Sequence, residues 1–198
     1  MLYSKAIRVG WLFLLGNWKH CLHLEDKTKA MTLINDTLSK LEFAQVGWVV
    51  PDIEKAMQFL GTSLGITFPP AAKVDAKEIG LSYYGNMVAG DWLTTQTYNG
   101  GSFIELVQPL SGQSMFHDYL EKYHLGGVQH MAYRTAVEEM GPVVERLLAE
   151  GYKLIADVSH PIAEMKFFDT YHTLGIATEI MGITPDGWKA VEQMKKGR

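Results

Sequence analysis

Apolar and polar positions from residue 43 onwards follow patterns that predict short strands and helices. Residues 43–50 are rich in β-branched and aromatic side chains and stop at Pro51, which predicts a strand. Asp52 then begins a predicted helix, whose apolar residues recur at helical spacing as far as Leu60. Three more strands are predicted in this half, at 78–84, 91–98 and 102–108.

The second half of the chain repeats this order of elements. It follows a turn and a connecting helix, for which we predict Ser111 as the N-cap. A strand, a helix and three strands are then predicted at 128–135, 137–150, 152–158, 164–169 and 176–182, with a last helix at 186–196. Two copies of one strand, one helix and three strands indicate an internal structural repeat.

The repeat predicts an α+β protein built from two tandem βαβββ modules that form a curved half-barrel cleft. The predicted organisation is an N-terminal extension at 1–40, a first module at 41–110, a connecting helix at 111–125, a second module at 126–183 and a C-terminal tail or helix at 184–198. We expect the extension to lie outside the folded core. Its apolar run at 9–16 is far shorter than the roughly 20 residues of a membrane span, so we predict no membrane association.

Composition and charge exclude several classes of protein. Apolar residues make up 47% of the 198 residues and charged residues 20%, as in ordinary globular proteins. Because the net charge is -4 and no long basic run occurs, we predict no nucleic-acid partner. The single cysteine, Cys21, excludes an internal disulfide and a cysteine-built zinc site, and it favours a cytoplasmic location.

Four polar residues lie on strand faces where apolar residues are expected. Gln45 and His130 lie on the first strand of each half, 85 residues apart. Glu105 and Glu179 lie on the last strand of each half, 74 residues apart. Inward-facing carboxylates are costly to bury unless something neutralises them. Since the repeat places the four at matched positions, we predict that they converge in the cleft and hold one metal ion.

Four runs of sequence carry a resemblance to a known superfamily. They are Gln45–Asp52, Ile104–Leu110, Val128–Tyr133 and Gly175–Ile180. The pattern resembles the glyoxalase, bleomycin-resistance and extradiol-dioxygenase superfamily, also called the vicinal oxygen chelate proteins. The second and third runs, with the helix at 114–123, are most similar to methylmalonyl-CoA epimerases. These epimerases usually have histidine at the places of Gln45 and Gln129, so both glutamines are departures.

The resemblance implies a divalent metal ion, with zinc, cobalt, nickel or manganese as candidates, held by the four polar residues. It also implies a catalytic base, with Glu179 as the first candidate and Glu105 as the second. The expected activity is proton transfer next to a metal-bound carbonyl, as in an epimerase or isomerase. The expected partners are a small-molecule substrate, with an acyl-CoA among the candidates, and a second copy of the chain in a homodimer.

Two alternatives stay open at this stage. A Gln/Glu/His/Glu ligand set is similar to that of one zinc-binding branch of glyoxalase I, which makes a lactoylglutathione lyase-like activity the first alternative. The second is a non-catalytic protein that binds a small molecule, as bleomycin-resistance proteins do. Iron-dependent dioxygenation is disfavoured, because it needs two histidines and one carboxylate.

Other polar residues are weaker candidates for the cleft. Thr95 and Gln96 lie on a predicted inner strand, and Arg134 shares the strand face of His130, where an anionic substrate could pair with it. His160 is predicted to lie outside the strands, and we assign it no role.

Overall fold

The computed structural model describes residues 41–196, so the predicted extension at 1–40 lies outside the described part of the chain. The strands are β1 Glu42–Val49, β2 Ala72–Asp75, β3 Ser82–Tyr83, β4 Asn86–Met87, β5 Gly90–Asn99, β6 Ser102–Gly112, β7 Gly127–Ala136, β8 Leu154–His160, β9 Ala163–Phe168 and β10 Ala177–Ile183. The helices are α1 Ile53–Leu64, α2 Met115–Lys122, α3 Val137–Ala149, α4 Tyr171–Leu174 and α5 Pro185–Lys196.

The ten strands form one sheet in the order β2-β5-β6-β1-β7-β10-β9-β8-β3-β4. The first strands of the two halves, β1 and β7, pair antiparallel at its centre. Each is flanked by the last strand of its own half in parallel, β6 beside β1 and β10 beside β7. The predicted α+β fold, with two tandem modules in a curled half-barrel sheet, is confirmed.

The segment between β2 and β5 differs from the prediction. Residues 76–80 form turns rather than a strand, and two short strands, β3 and β4, follow. β3 pairs with β8 of the second module, whereas the unpredicted β2 pairs with β5. Buried Ala76 and Leu81, joined by the Leu81 N–H donating to the Ala76 carbonyl, hold the turn in the core. This segment therefore connects the two edges of the sheet and curls it.

The predicted cap of the connecting helix was wrong. Ser111 is still in β6, where its backbone N–H and its hydroxyl donate to Asp91 Oδ1 at 2.8 and 2.6 Å. The cap lies three residues later: the helix begins at Met115, and Ser114 Oγ caps it by accepting from the Phe116 N–H at 3.2 Å. Cross-strand bonding to Asp91 thus extends β6 and moves the helix start.

Helices α1 and α3 each pack on their own module. α1 buries Ile53 and Leu60 against Leu106 of β6. α3 buries Met140 and Val143 against β9 and β10. A third apolar cluster contains residues of both modules and of α2, including Trp92, Phe116 and Phe167. No helix within residues 41–196 combines the length and the apolar character needed to cross a membrane.

Candidate functional site

The four predicted site residues lie on the four central strands of the sheet, one on each. Glu105 is on β6, Gln45 on β1, His130 on β7 and Glu179 on β10. The strand register sets them in two rows. In one row Gly47 lies between Glu105 and His130. In the other row Ala132 lies between Gln45 and Glu179. Small residues between the polar ones leave room for the four side chains to meet.

The structure brings all four side chains together. The Gln45 amide nitrogen lies 3.2 Å from Glu105 Oε2, 3.2 Å from His130 Nε2 and 3.3 Å from Glu179 Oε2. His130 Nε2 lies 3.3 Å from Glu105 Oε2 and 3.4 Å from Glu179 Oε2. His130 and Glu179 are fully buried, whereas 20% of the Glu105 side chain is exposed. The cluster therefore has a buried side on the second module and a more open side at Glu105.

A β-bulge orients the imidazole of His130. Gly47 pairs with His130 and Trp48 pairs with Val128, so Gln129 is the extra residue of β7. Bulges of this kind redirect a side chain. Here the Gln129 Oε1 accepts a hydrogen bond from His130 Nδ1 at 2.8 Å, which leaves Nε2 facing the cluster. The tautomer is assigned from this hydrogen-bond network.

Gln129, which the sequence marked only as a departure from the epimerase pattern, contacts the site. It is fully buried, and its amide nitrogen donates to the Tyr171 hydroxyl at 2.7 Å. Strand alternation places residues 129 and 130 on opposite faces, so no pattern in the sequence predicted their contact. Burial raises the pKa of Tyr171 to about 12, which keeps its hydroxyl protonated.

Burial and neighbouring charges shift the pKa values of the two buried groups. Burial raises the pKa of Glu179 to about 7; the charge on His130 opposes this shift and the charge on Glu105 adds to it. Burial by itself lowers the pKa of His130. The hydrogen bond to Glu105 and the charges on Glu179 and Glu105 outweigh burial, so the pKa of His130 is raised. A carboxyl with a pKa near neutrality can both accept and return a proton.

A cavity of about 360 Å³ leads to the cluster, and Gln45, Glu105 and Glu179 form part of its lining. Thr94 and Gln96 line it as well, and the Thr94 hydroxyl donates to Glu105 Oε1 at 3.1 Å. Thr94 and Gln96 are two residues apart on β5 and therefore share one face of the strand. The prediction that Gln96 lines the cleft agrees with the structure.

Two of the weaker candidates, Thr95 and Arg134, do not line the cavity, and His160, which was assigned no role, does. Thr95 points to the other side of β5, where its hydroxyl donates to the Pro69 carbonyl at 2.8 Å. His160 ends β8 and does line the cavity. Arg134 does not line it, because its guanidinium binds Glu42 at 3.2 Å. Strand alternation explains the positions of Thr95 and His160, and the ion pair with Glu42 explains that of Arg134.

The donor set fits a divalent metal ion. Two carboxylates, one imidazole and one amide oxygen suit borderline and hard ions. Metal bonds of about 2.0–2.2 Å in tetrahedral geometry place donor atoms about 3.3–3.6 Å apart, and His130 Nε2 lies 3.3 and 3.4 Å from the carboxylate oxygens of Glu105 and Glu179. Gln45 presents its amide nitrogen to these atoms, so its amide would have to turn over to offer the oxygen to a metal ion. Within residues 41–196 no group of three or more His, Cys, Asp and Glu side chains lies in metal-binding geometry. Metal binding here would therefore depend on Gln45, whose amide joins the other three.

The comparisons with known proteins agree with this fold. The family model of the glyoxalase/bleomycin resistance protein/dioxygenase superfamily matches residues 44–168. The chain belongs to this superfamily. The match to the superfamily model spans Gln45, Glu105 and His130 and ends before β10, which carries Glu179. No curated protein matches the chain.

Solved structures share the fold at low sequence identity. The methylmalonyl-CoA epimerase of Mycobacterium tuberculosis is 19% identical, with a TM-score of 0.52, and the match covers 73% of this chain and 89% of the epimerase. A hypothetical protein from Bacillus halodurans is 22% identical, with a TM-score of 0.51, and the match covers 72% of this chain and 94% of that protein. At such identities the likeness describes the fold alone.

Proposed function

We propose that this chain is a metal-dependent epimerase or isomerase that moves a proton on the carbon next to a carbonyl group. The carrying observation is Glu179, a fully buried carboxyl with a pKa of about 7, in contact with Gln45 and His130 at the cavity. The sequence likeness to epimerases of the superfamily supports the reaction class. A superfamily member of the same fold is a methylmalonyl-CoA epimerase, which suggests a 2-substituted acyl compound as substrate.

The metal would be held by Gln45, Glu105, His130 and Glu179, with zinc, cobalt, nickel and manganese as candidates. When bound, a divalent ion supplies Lewis acidity that stabilises negative charge on the substrate carbonyl oxygen. Gln129 would keep His130 in the tautomer whose Nε2 is free to bind the metal, because the Gln129 Oε1 accepts a hydrogen bond from Nδ1–H.

The two carboxylates would handle the proton. Glu179 comes from the second module and Glu105 from the first, and both contact the Gln45 amide. An epimerisation removes a proton from one face of a carbon and returns one to the other face. Two carboxylates on different strands supply two such positions. We assign proton removal to Glu179, because it is the fully buried carboxylate of the two and lines the cavity beside His130.

Metal analysis and isotope exchange test this proposal. The purified full chain is reconstituted with zinc, cobalt, nickel or manganese, and bound metal is quantified. Exchange of solvent deuterium into methylmalonyl-CoA is then followed by mass spectrometry. Since general-base help contributes about 10²–10⁴-fold, Glu179→Gln should slow exchange by that range.

Glu164→Gln is the matched control, because it removes the same charge from an exposed position of the neighbouring strand β9. It should leave metal content and exchange unchanged. Failure to bind any of the four metals contradicts the proposal. Metal binding without deuterium exchange points instead to a lyase, which is then assayed with the hemithioacetal of methylglyoxal and glutathione, or to a binding protein.

A further inference from the structure

The walls of the cavity beyond the four-residue cluster are largely apolar. They are formed by residues of both modules and of α2, among them Trp92, Met115, Phe116, Met165 and Phe167. Several of these side chains also belong to the apolar cluster between the modules. The cavity is therefore continuous with the core, and an occupant would exchange water for apolar contacts.

Among the described residues that line this cavity, the basic side chain is that of His160, which is exposed to solvent. Its lining has no lysine or arginine, and two of its polar groups are the carboxylates of Glu105 and Glu179. Arg134, on the strand of His130, is taken up by Glu42 at 3.2 Å and by the ring of Trp188 at 5.6 Å. An anionic group inside the cavity, away from the cluster, would lie unpaired in apolar surroundings, which is costly.

One wall of the cavity comes from outside the repeat. Gly187, Val191 and Met194 of α5 line it, although α5 follows both modules and lies beyond the residues that match the superfamily model. The helix lies tightly against the β8–β9 turn, because a Cβ on Gly187 would lie 2.1 Å from the Ile162 carbonyl oxygen. The Gln96 amide contacts Met194 Sδ at 3.4 Å, which links α5 to the first module.

We propose that the substrate carries an uncharged hydrocarbon tail that lies in this cavity against α5, and that α5 limits the length of the tail. This inference rests on the proposed function, in which the oxygen-bearing end of the substrate lies at the cluster. If the substrate is a CoA thioester, its phosphates lie outside the cavity and the hydrocarbon part of its acyl group lies inside it.

Alkyl hydroxamates test the hydrocarbon tail separately from the oxygen-bearing end, because each of them carries the same pair of metal-binding oxygens. Affinities of the zinc- or cobalt-loaded full chain are measured by calorimetry for acetohydroxamate, octanohydroxamate and the monohydroxamate of suberic acid. A buried methylene adds about fourfold in affinity. We expect octanohydroxamate to bind at least about a hundredfold more tightly than acetohydroxamate, and the carboxylate-tailed compound to lose most of that gain.

Variants of α5 locate the tail. Met194→Trp should weaken octanohydroxamate at least tenfold more than it weakens acetohydroxamate, because it fills space beside α5 in the cavity. Gln193→Trp, at an exposed neighbouring position, is the matched control and should change neither affinity. Met194→Lys should restore affinity for the carboxylate-tailed compound, a gain that an unfolded variant cannot show.

The outcomes separate the two proposals. Equal affinities for the short and long hydroxamates, or an equal effect of Met194→Trp and Gln193→Trp, overturn the assignment of the tail while the metal site stands. If no hydroxamate binds, the metal proposal fails. The tail is then tested on the metal-free chain with 1-octanol against 1-butanol, where equal affinities overturn it.

Discussion

The imidazole ring of His130 lies directly over the Cα of Gly47, its partner in the pairing of β1 with β7. A Cβ at position 47 would lie 1.9 Å from His130 Cε1 and 2.2 Å from Nε2. Side-chain carbons cannot approach this closely, so residue 47 must be glycine for His130 to face the cluster. The sequence shows this glycine only as a gap in a strand pattern.

Gly47→Ala should therefore displace His130. We expect the free energy of unfolding to fall by about 1–3 kcal/mol, as for other overpacked sites, and metal binding to be lost. Urea unfolding and metal titration measure the two effects. Gly61→Ala is the control, because a Cβ there meets only the Ile66 carbonyl oxygen at 3.9 Å, and a helix interior favours alanine by about 0.5–1 kcal/mol. Unchanged metal affinity in Gly47→Ala contradicts the assigned position of His130.

Gln129→Leu should weaken metal binding about 10–100-fold, because removal of a group that orients a histidine ligand typically has that effect. The reason here is the lost acceptor for His130 Nδ1. Gln129→Glu keeps an acceptor and should restore most of the affinity. Tyr171→Phe removes only the outer partner of Gln129 and should have a smaller effect on affinity. Calorimetric titration with zinc gives all three values, and equal affinities for Gln129→Leu and Gln129→Glu would show a purely structural role.

The stability of the metal-free chain should fall as the pH rises from about 4.5 to about 7. Glu179 has a pKa of about 7 in the folded state against 4.5 in the reference state, so the folded chain holds its proton more tightly. The stabilisation of the folded state by this proton is fully present below a pH of about 4.5 and is lost as the pH rises through 7. The raised pKa of His130 acts in the same direction.

Urea unfolding between pH 4.5 and 8 in the presence of a chelator measures this dependence. Glu179→Gln should have a flatter profile than the parent chain, because its side chain does not titrate. Addition of zinc should oppose the trend, since metal binding needs deprotonated ligands and strengthens as the pH rises. Identical pH profiles for the parent and Glu179→Gln would show that Glu179 titrates normally.

Ser114→Ala should destabilise the chain by about 1 kcal/mol, the usual cost of a lost N-cap. Ser114 is fully buried, and α2 carries the cavity residues Met115 and Phe116. Ser111→Ala should leave α2 intact and lose only the hydrogen bond of its hydroxyl to Asp91. Thermal unfolding and the helical circular dichroism signal separate the two variants. A larger loss of helical signal in Ser111→Ala than in Ser114→Ala would show that Ser111 is the N-cap, as the sequence predicted.

The pattern of apolar residues was sufficient to predict the positions of most of the long strands and helices. β1, β5, β6, β7 and α3 were predicted within a few residues, because each has a continuous or periodic apolar face. The segment at 72–87 was not, because β3 pairs with a strand some seventy residues away along the chain. Local sequence carries no information about which edge of a distant strand is available for pairing.

The residues of the site also divide into those that the sequence could predict and one that it could not. Gln45, Glu105, His130 and Glu179 could be predicted because each is polar at a position that the repeat makes inward-facing. Gln129 could not, because it reaches His130 only through a bulge, and a bulge depends on the register of two strands.

The sequence by itself determined the repeat, the superfamily and the polar residues available to the site, since periodicity and side-chain chemistry are local properties. Tertiary structure decided three further features: the ring of His130 over Gly47, the contact of Gln129 with His130, and the use of α5 as a cavity wall. Each depends on strand register or on packing between segments far apart in the chain. Register and packing are fixed only when the two halves close on each other, so the identity of single residues does not show them.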